Sequence, residues 1–123
     1  MTRDFGAVHE RLKRILDPYR AGLSVTSDGP AGMALEIPGL EGKPVGYVAG
    51  TRLGKRYVSL YLMPVYAEPS LLNGVSPALL RRKQGKSCFN FTSVDESLMA
   101  ELEGIAAAGI PRYEEWARQR LPR

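Results

Sequence analysis

Histidine and cysteine are almost missing from this chain of 123 residues, which holds one of each, His9 and Cys88. A single thiol cannot close an internal disulfide, which fits a reducing compartment. One histidine and one cysteine also fall short of the ligand set of a structural zinc site. Long apolar runs are missing as well, since no stretch approaches the roughly 18 residues that a membrane span requires. Met1-Thr2-Arg3-Asp4-Phe5 runs straight into an amphipathic pattern, without the apolar core of a signal peptide, and Thr2 stands where myristoylation needs glycine. A cytoplasmic protein with no membrane partner is expected. Without a secretory signal, the glycosylation pattern Asn90-Phe91-Thr92 carries no weight.

What is present is ordinary globular material. With 44% hydrophobic and 24% charged residues, the chain is neither disordered nor fibrous. Its length suits one core, so a single domain over residues 1–123 is expected. A net charge of +4 and a pI near 9.4 attract anions of every kind, whether nucleic acid, phosphorylated metabolite or acidic protein.

Hydrophobic spacing supplies the elements. Phe5, Val8, Leu12, Ile15, Leu16 and Tyr19 recur at three and four, the mark of a helix with one buried stripe, over residues 4–19. His9 lies about 70° from the middle of that stripe, at its boundary. From Leu23 the period becomes two, and Asp28-Gly29-Pro30-Ala31-Gly32 reverses the chain into a hairpin ending near Ile37. A second pair of strands, 45–53 and 56–62, is joined at Leu53-Gly54-Lys55. The segment 64–83 reads as loop with short helical turns, Ser76 capping one that starts at Pro77. Cys88 to Phe91 forms a short strand. Ser93 with Glu96 makes a capping box for a helix ended by Gly109, and Pro111 begins another carrying Tyr113, Trp116, Ala117 and Leu121.

Consecutive strands flanked by helices predict an α+β, two-layer sandwich: an antiparallel sheet of about five strands with the N-terminal and C-terminal helices on one face. Leu12, Ile15, Leu16, Leu102, Ile105 and Trp116 are expected to be buried between the layers. Val58, Leu60 and Leu62 then face the core while Tyr57, Ser59 and Tyr61 face the other way. That second face suits a ligand groove or a homodimer interface. Gly42, Gly46, Gly50 and Gly54 recur at every fourth position, as turns, a bend, or a place for another backbone to approach.

The stretch Tyr57-Val58-Ser59-Leu60-Tyr61-Leu62-Met63-Pro64-Val65-Tyr66, followed by Gly85-Lys86-Ser87-Cys88-Phe89-Asn90-Phe91, resembles the bacterial YdhG-like domains of unknown function. The resemblance spans most of the chain and includes the Gly42-Lys43-Pro44 loop and the closing helices. It implies a fold like that of type III secretion chaperones. Some YdhG-like proteins are described as frataxin-like iron chaperones, a role that needs an acidic surface of oxygen ligands. Here the carboxylates are scattered, and Glu101 lies far round its helix from Glu96 and Glu103.

No constellation of acid, base and nucleophile stands out, and no cofactor is expected. Gly85-Lys86-Ser87 imitates the end of a P-loop, but Leu80 occupies the place of the first glycine and the segment leads into a strand. A looser anion site remains, because Arg81, Arg82, Lys83 and Lys86 cluster beside Gly85. Phe89 and Phe91 share one strand face and are expected in the core. The glycine that an RNA-recognition strand carries after its basic residue is missing and the strand order is wrong, so nucleic acid rests mainly on the basic loop and is not the expected partner. Cys88 beside Lys86 could serve a small thiol enzyme, although no base accompanies it. Among Tyr47, Tyr57, Tyr61, Tyr66 and Tyr113, sheet packing competes with a groove or interface.

The reading that fits best is a non-catalytic binding or chaperone-like module for a small anionic ligand or a protein partner. The alternatives are iron or Fe-S delivery, nucleic-acid binding, and an enzyme using Cys88. The expected ligand site joins Arg82, Lys86, Ser87, Cys88 and Asn90 to walls formed by Tyr61 and Tyr66.

Overall fold

Asp4 starts the first helix: its carboxylate accepts the Ala7 N–H at 2.9 Å, and α1 (Phe5–Leu16) follows. In the computed structural model, which describes residues 4–120, Val8, Leu12, Ile15 and Leu16 form its buried stripe. Pro18 tightens the continuation into a 3-10 turn, Asp17–Tyr19. A hairpin follows, β1 (Ser24–Gly29) and β2 (Gly32–Glu36), with a register shift between Val25 and Ser27; Val25 is exposed on this edge strand.

The second pair is β3 (Tyr47–Leu53) and β4 (Val58–Leu62). It is shorter than its apolar pattern predicts, because Pro44–Gly46 turns as a 3-10 helix. The reversal runs through Gly54–Tyr57, closed by the Gly54 N–H on the Tyr57 carbonyl at 3.0 Å, where Leu53-Gly54-Lys55 was expected. Beyond β4 come α2 (Met63–Ala67), a 3-10 turn at Pro69–Leu72, and α3 (Pro77–Leu80), whose Ser76 cap accepts the Leu79 N–H at 3.2 Å. A two-residue β5 (Lys83–Gln84) then turns through Gly85, at φ 75°, into β6 (Cys88–Phe91).

The last element departs from the sequence expectation. One 23-residue helix, α4 (Glu96–Arg118), takes the place of two, and Pro111 sits inside it. Ala107, whose carbonyl loses its donor at Pro111, lies on the exposed side of the helix, where water can take its place. Gly109 is buried and ends nothing: a Cβ there would come within 2.8 Å of Pro64 and 2.7 Å of Leu71, so its bareness lets α4 lie close to α2. The cap is Asp95, which accepts from the N–H groups of Ser97 and Leu98, not Ser93. Glu96 instead reaches out to α1. Leu121 lies outside the described residues.

The fold is α+β. Six strands form one antiparallel sheet in the order β1-β2-β3-β4-β6-β5, one more than expected because of the minimal edge strand β5. Helix α1 packs on β3 and β4, and α4 packs against α1, α2 and β3, placing the core on one sheet face. Leu60, Leu62, Phe89 and Phe91 meet Leu12, Leu16, Met99 and Leu102 in that core. Ile15 and Ile105 are buried too, but Trp116 is 37% exposed, stacked on Tyr113 with Arg120 over its ring. Its neighbour Ala117 takes the buried side of the helix instead. Among the described residues no helix is long and apolar enough to cross a membrane.

Candidate anion-binding groove

The face of the sheet away from the helices is built by strand alternation. Along β4, Val58, Leu60 and Leu62 enter the core, so Tyr57, Ser59 and Tyr61 emerge opposite. Antiparallel register then sets Tyr61 between Gly50 and Cys88, and Ser59 between Arg52 and Asn90. The result is a groove of about 700 Å³ whose lining includes Arg52, Lys55, Arg56, Tyr57, Ser59, Tyr61, Gln84, Cys88 and Asn90.

Its floor is held by hydrogen bonds. The carbonyl oxygen of the Asn90 side chain accepts from Ser59 Oγ at 2.7 Å and from Cys88 Sγ at 3.2 Å, while Asn90 Nδ2 donates to Gln84 Oε1 at 2.9 Å. Burial pushes the Cys88 thiol up, against a smaller lowering from hydrogen bonds with Ser59 and Tyr61. At neutral pH that sulfur keeps its proton, the opposite of what an attacking thiolate requires.

The rim is positive. Five basic side chains elsewhere have acidic partners: Arg11 with Glu96 and Glu103, Lys13 and Arg20 with Asp28, Arg112 with Glu68, Arg118 with Glu114. Arg52, Lys55 and Arg56 take part in no ion pair among the described residues. The groove lining contains no carboxylate and no histidine, so its charge favours an anion.

Six of the seven site residues anticipated from sequence fall into three hollows. Tyr61, Cys88 and Asn90 line the groove. Arg82 lines an adjoining cleft of about 300 Å³ together with Tyr57, Lys83 and Gln84. Lys86 and Tyr66 meet in a third cleft of about 400 Å³, the ammonium 5.4 Å from the ring centroid. Ser87 lines none of these, and its backbone carbonyl accepts the Leu62 N–H at 2.8 Å. The seven residues therefore do not share one cavity, because the Gly85 turn carries Lys86 round the sheet edge, away from Tyr61.

Arg52, Lys55, Arg56 and Gln84 also line the groove and were not among the residues anticipated. Their signal was legible: Arg52-Leu53-Gly54-Lys55-Arg56 is a basic turn, and period two puts Arg52 on the face of Ser59. His9 was missed as a buried group. It is 3% exposed, with Nε2 2.7 Å from Thr51 Oγ1.

A second hollow of about 520 Å³, between α2, α4 and the Pro44 turn, is mostly apolar, with Met63, Pro64, Tyr113 and Trp116 among its walls. Its polar groups are already engaged: Arg112 pairs with Glu68, and the Tyr113 hydroxyl donates to the Val45 carbonyl at 3.1 Å. It offers less to a polar ligand than the groove. Among the described residues no three His, Cys, Asp or Glu side chains come together in a way that could hold a metal ion. No family model, curated protein or solved structure matches the chain.

Proposed function

We propose that the protein is a non-catalytic binding module that holds an anionic ligand on its open sheet face. The observation that carries this reading is the unpaired basic rim, Arg52, Lys55 and Arg56, around a groove without carboxylates. The amide nitrogen of Gln84, whose oxygen already accepts from Asn90, adds a donor to that attraction. The groove offers no general base and its one thiol stays protonated, so binding fits better than reaction. The YdhG-like resemblance, with its secretion-chaperone-like architecture, agrees with a module that binds without chemistry. Iron delivery, the other role the resemblance raises, finds no ligand cluster among the described residues.

Thermal unfolding with inorganic pyrophosphate and a panel of phosphorylated metabolites tests the reading. A ligand that binds only the folded chain stabilises it by about 2.7 kcal/mol at a hundred times its Kd, and the midpoint rises accordingly. The rise is expected to vanish in an Arg52→Glu, Arg56→Glu double variant. No shift with any anion, or the same shift in the double variant, removes the proposal.

A further inference from the structure

The basic side chains outside ion pairs do not converge on a point. The groove shares Tyr57, Gln84 and Asn90 with the Arg82 cleft, and that cleft shares Lys83 with the cleft of Tyr66 and Lys86. Three hollows therefore adjoin in series, from the β3–β4 turn across the open face and round the β5 edge. Each contributes its own cations: Arg52, Lys55 and Arg56 in the first, Arg81 and Arg82 in the second, Lys86 in the third. None of them forms an ion pair among the described residues. A small anion would neutralise one hollow and leave the others unmatched, whereas a chain of regularly spaced negative charges matches all three.

Tyrosines alternate with the charge. Tyr57 stands between the first two hollows at 40% exposure, and Tyr66 stands in the third at 53%. Exposed rings beside a basic track are platforms for planar groups. We infer that the anionic ligand is a single-stranded nucleic acid, its phosphates following the basic side chains and its bases stacking on Tyr57 and Tyr66. The inference rests on the anion-binding reading of the groove and adds the class of ligand. A duplex fits poorly, because its base faces are hidden in the stack. The amides that could read base edges, Asn90 and Gln84, are already bonded to each other, so little sequence preference is expected.

The test is fluorescence anisotropy of the full chain with labelled ten-nucleotide oligouridylate and oligothymidylate across a salt series. Both are expected to bind, with affinity falling linearly in log–log form as salt rises. Tyr57→Ala should weaken binding about tenfold, and Tyr57→Phe should keep it, because the ring is what stacks. Arg52→Glu and Arg82→Glu, in different hollows, should each weaken binding and flatten the salt slope. Lys43→Glu, at the opposite end of β3 from Arg52, should change little beyond a general charge effect. All these positions are exposed, and unchanged far-ultraviolet dichroism would verify folding.

Loss of binding in only one of the two arginine variants, or tighter binding of a ten-pair duplex than of either strand, would overturn the inference. So would a uridine dinucleotide binding as tightly as the ten-mer while pyrophosphate still stabilises the chain; the groove would then hold a small anion, and the proposed function would stand alone. If no oligonucleotide, dinucleotide or pyrophosphate binds, both fall.

Discussion

His9 shows how one residue escapes a helical-wheel argument. The wheel places it at the edge of the stripe, yet Thr51 on β3 offers a hydroxyl at 2.7 Å and draws the imidazole inside. Desolvation, the largest effect, and nearby Lys13 hold its pKa below the ordinary value; Glu10, Asp28 and a hydrogen bond with the Pro30 backbone oppose them. The unfolded chain therefore takes up a proton near pH 6.5 that the folded chain still refuses. Stability should be full above that pH and decline as pH falls from about 6.5 toward the lower folded pKa. His9→Gln, which keeps a hydrogen-bonding side chain but cannot titrate, should flatten urea-midpoint curves between about pH 7.5 and 5.5. An unchanged slope would assign the effect elsewhere. The depressed carboxylates of Asp28 and Glu96 act in a separate, more acidic window. Trp116 gives the opposite lesson: large and apolar, it is left more than a third exposed. Leu102→Ala should cost about 2 to 5 kcal/mol, the usual range for a buried leucine, and Trp116→Ala distinctly less. Equal losses in denaturant titrations would mean that Trp116 is better covered than its exposure indicates.

At the scale of elements, neighbours override local signals. Gly109 and Pro111 read as stop and start, yet α4 runs through both, because Ile105, Ile110, Tyr113 and Ala117 stay buried on one side. The two residues should respond oppositely to alanine. Pro111→Ala restores a donor for the Ala107 carbonyl on an exposed turn and should stabilise the chain by about 1 kcal/mol or more. Gly109→Ala pushes a methyl into Pro64 and Leu71 and should destabilise it by about 1 to 3 kcal/mol. Thermal midpoints moving in the same direction would contradict this account. A related override holds α3, where Glu101 of α4 accepts both the Ser76 N–H and its hydroxyl at 2.7 Å. No pattern inside residues 76–80 announces that support. Helices α1 and α4 are tied by Arg11, whose guanidinium makes a two-pronged contact with Glu96 and a third bond to Glu103.

For the whole molecule, the one-sided packing that builds the core also leaves the opposite face to carry charge. A homodimer formed through Tyr57, Ser59 and Tyr61, as the sequence leads one to expect, would bring each copy's Arg52, Lys55 and Arg56 near like charges. Any such dimer should therefore be suppressed at low ionic strength and favoured by salt, because the screening length shrinks from about 30 Å at 0.01 M to about 8 Å at 0.15 M. Sedimentation velocity across that range would measure it. A dimer strongest in the most dilute salt would require a different interface.

The sequence by itself determined the α+β class, the antiparallel sheet, the inward set of Val58, Leu60, Leu62, Phe89 and Phe91, and the Ser76 cap. These follow from periodicity and from hydrogen bonds closed within a few residues, which a linear pattern records. Only the tertiary structure decided the burial of His9, the continuity of α4 and the dispersal of Tyr61, Arg82 and Lys86 among three hollows. Each depends on where a partner distant in sequence comes to lie: Thr51 beside His9, Pro64 against Gly109, and β6 between β4 and the edge strand β5. A side chain's own neighbours in the chain carry no record of that choice.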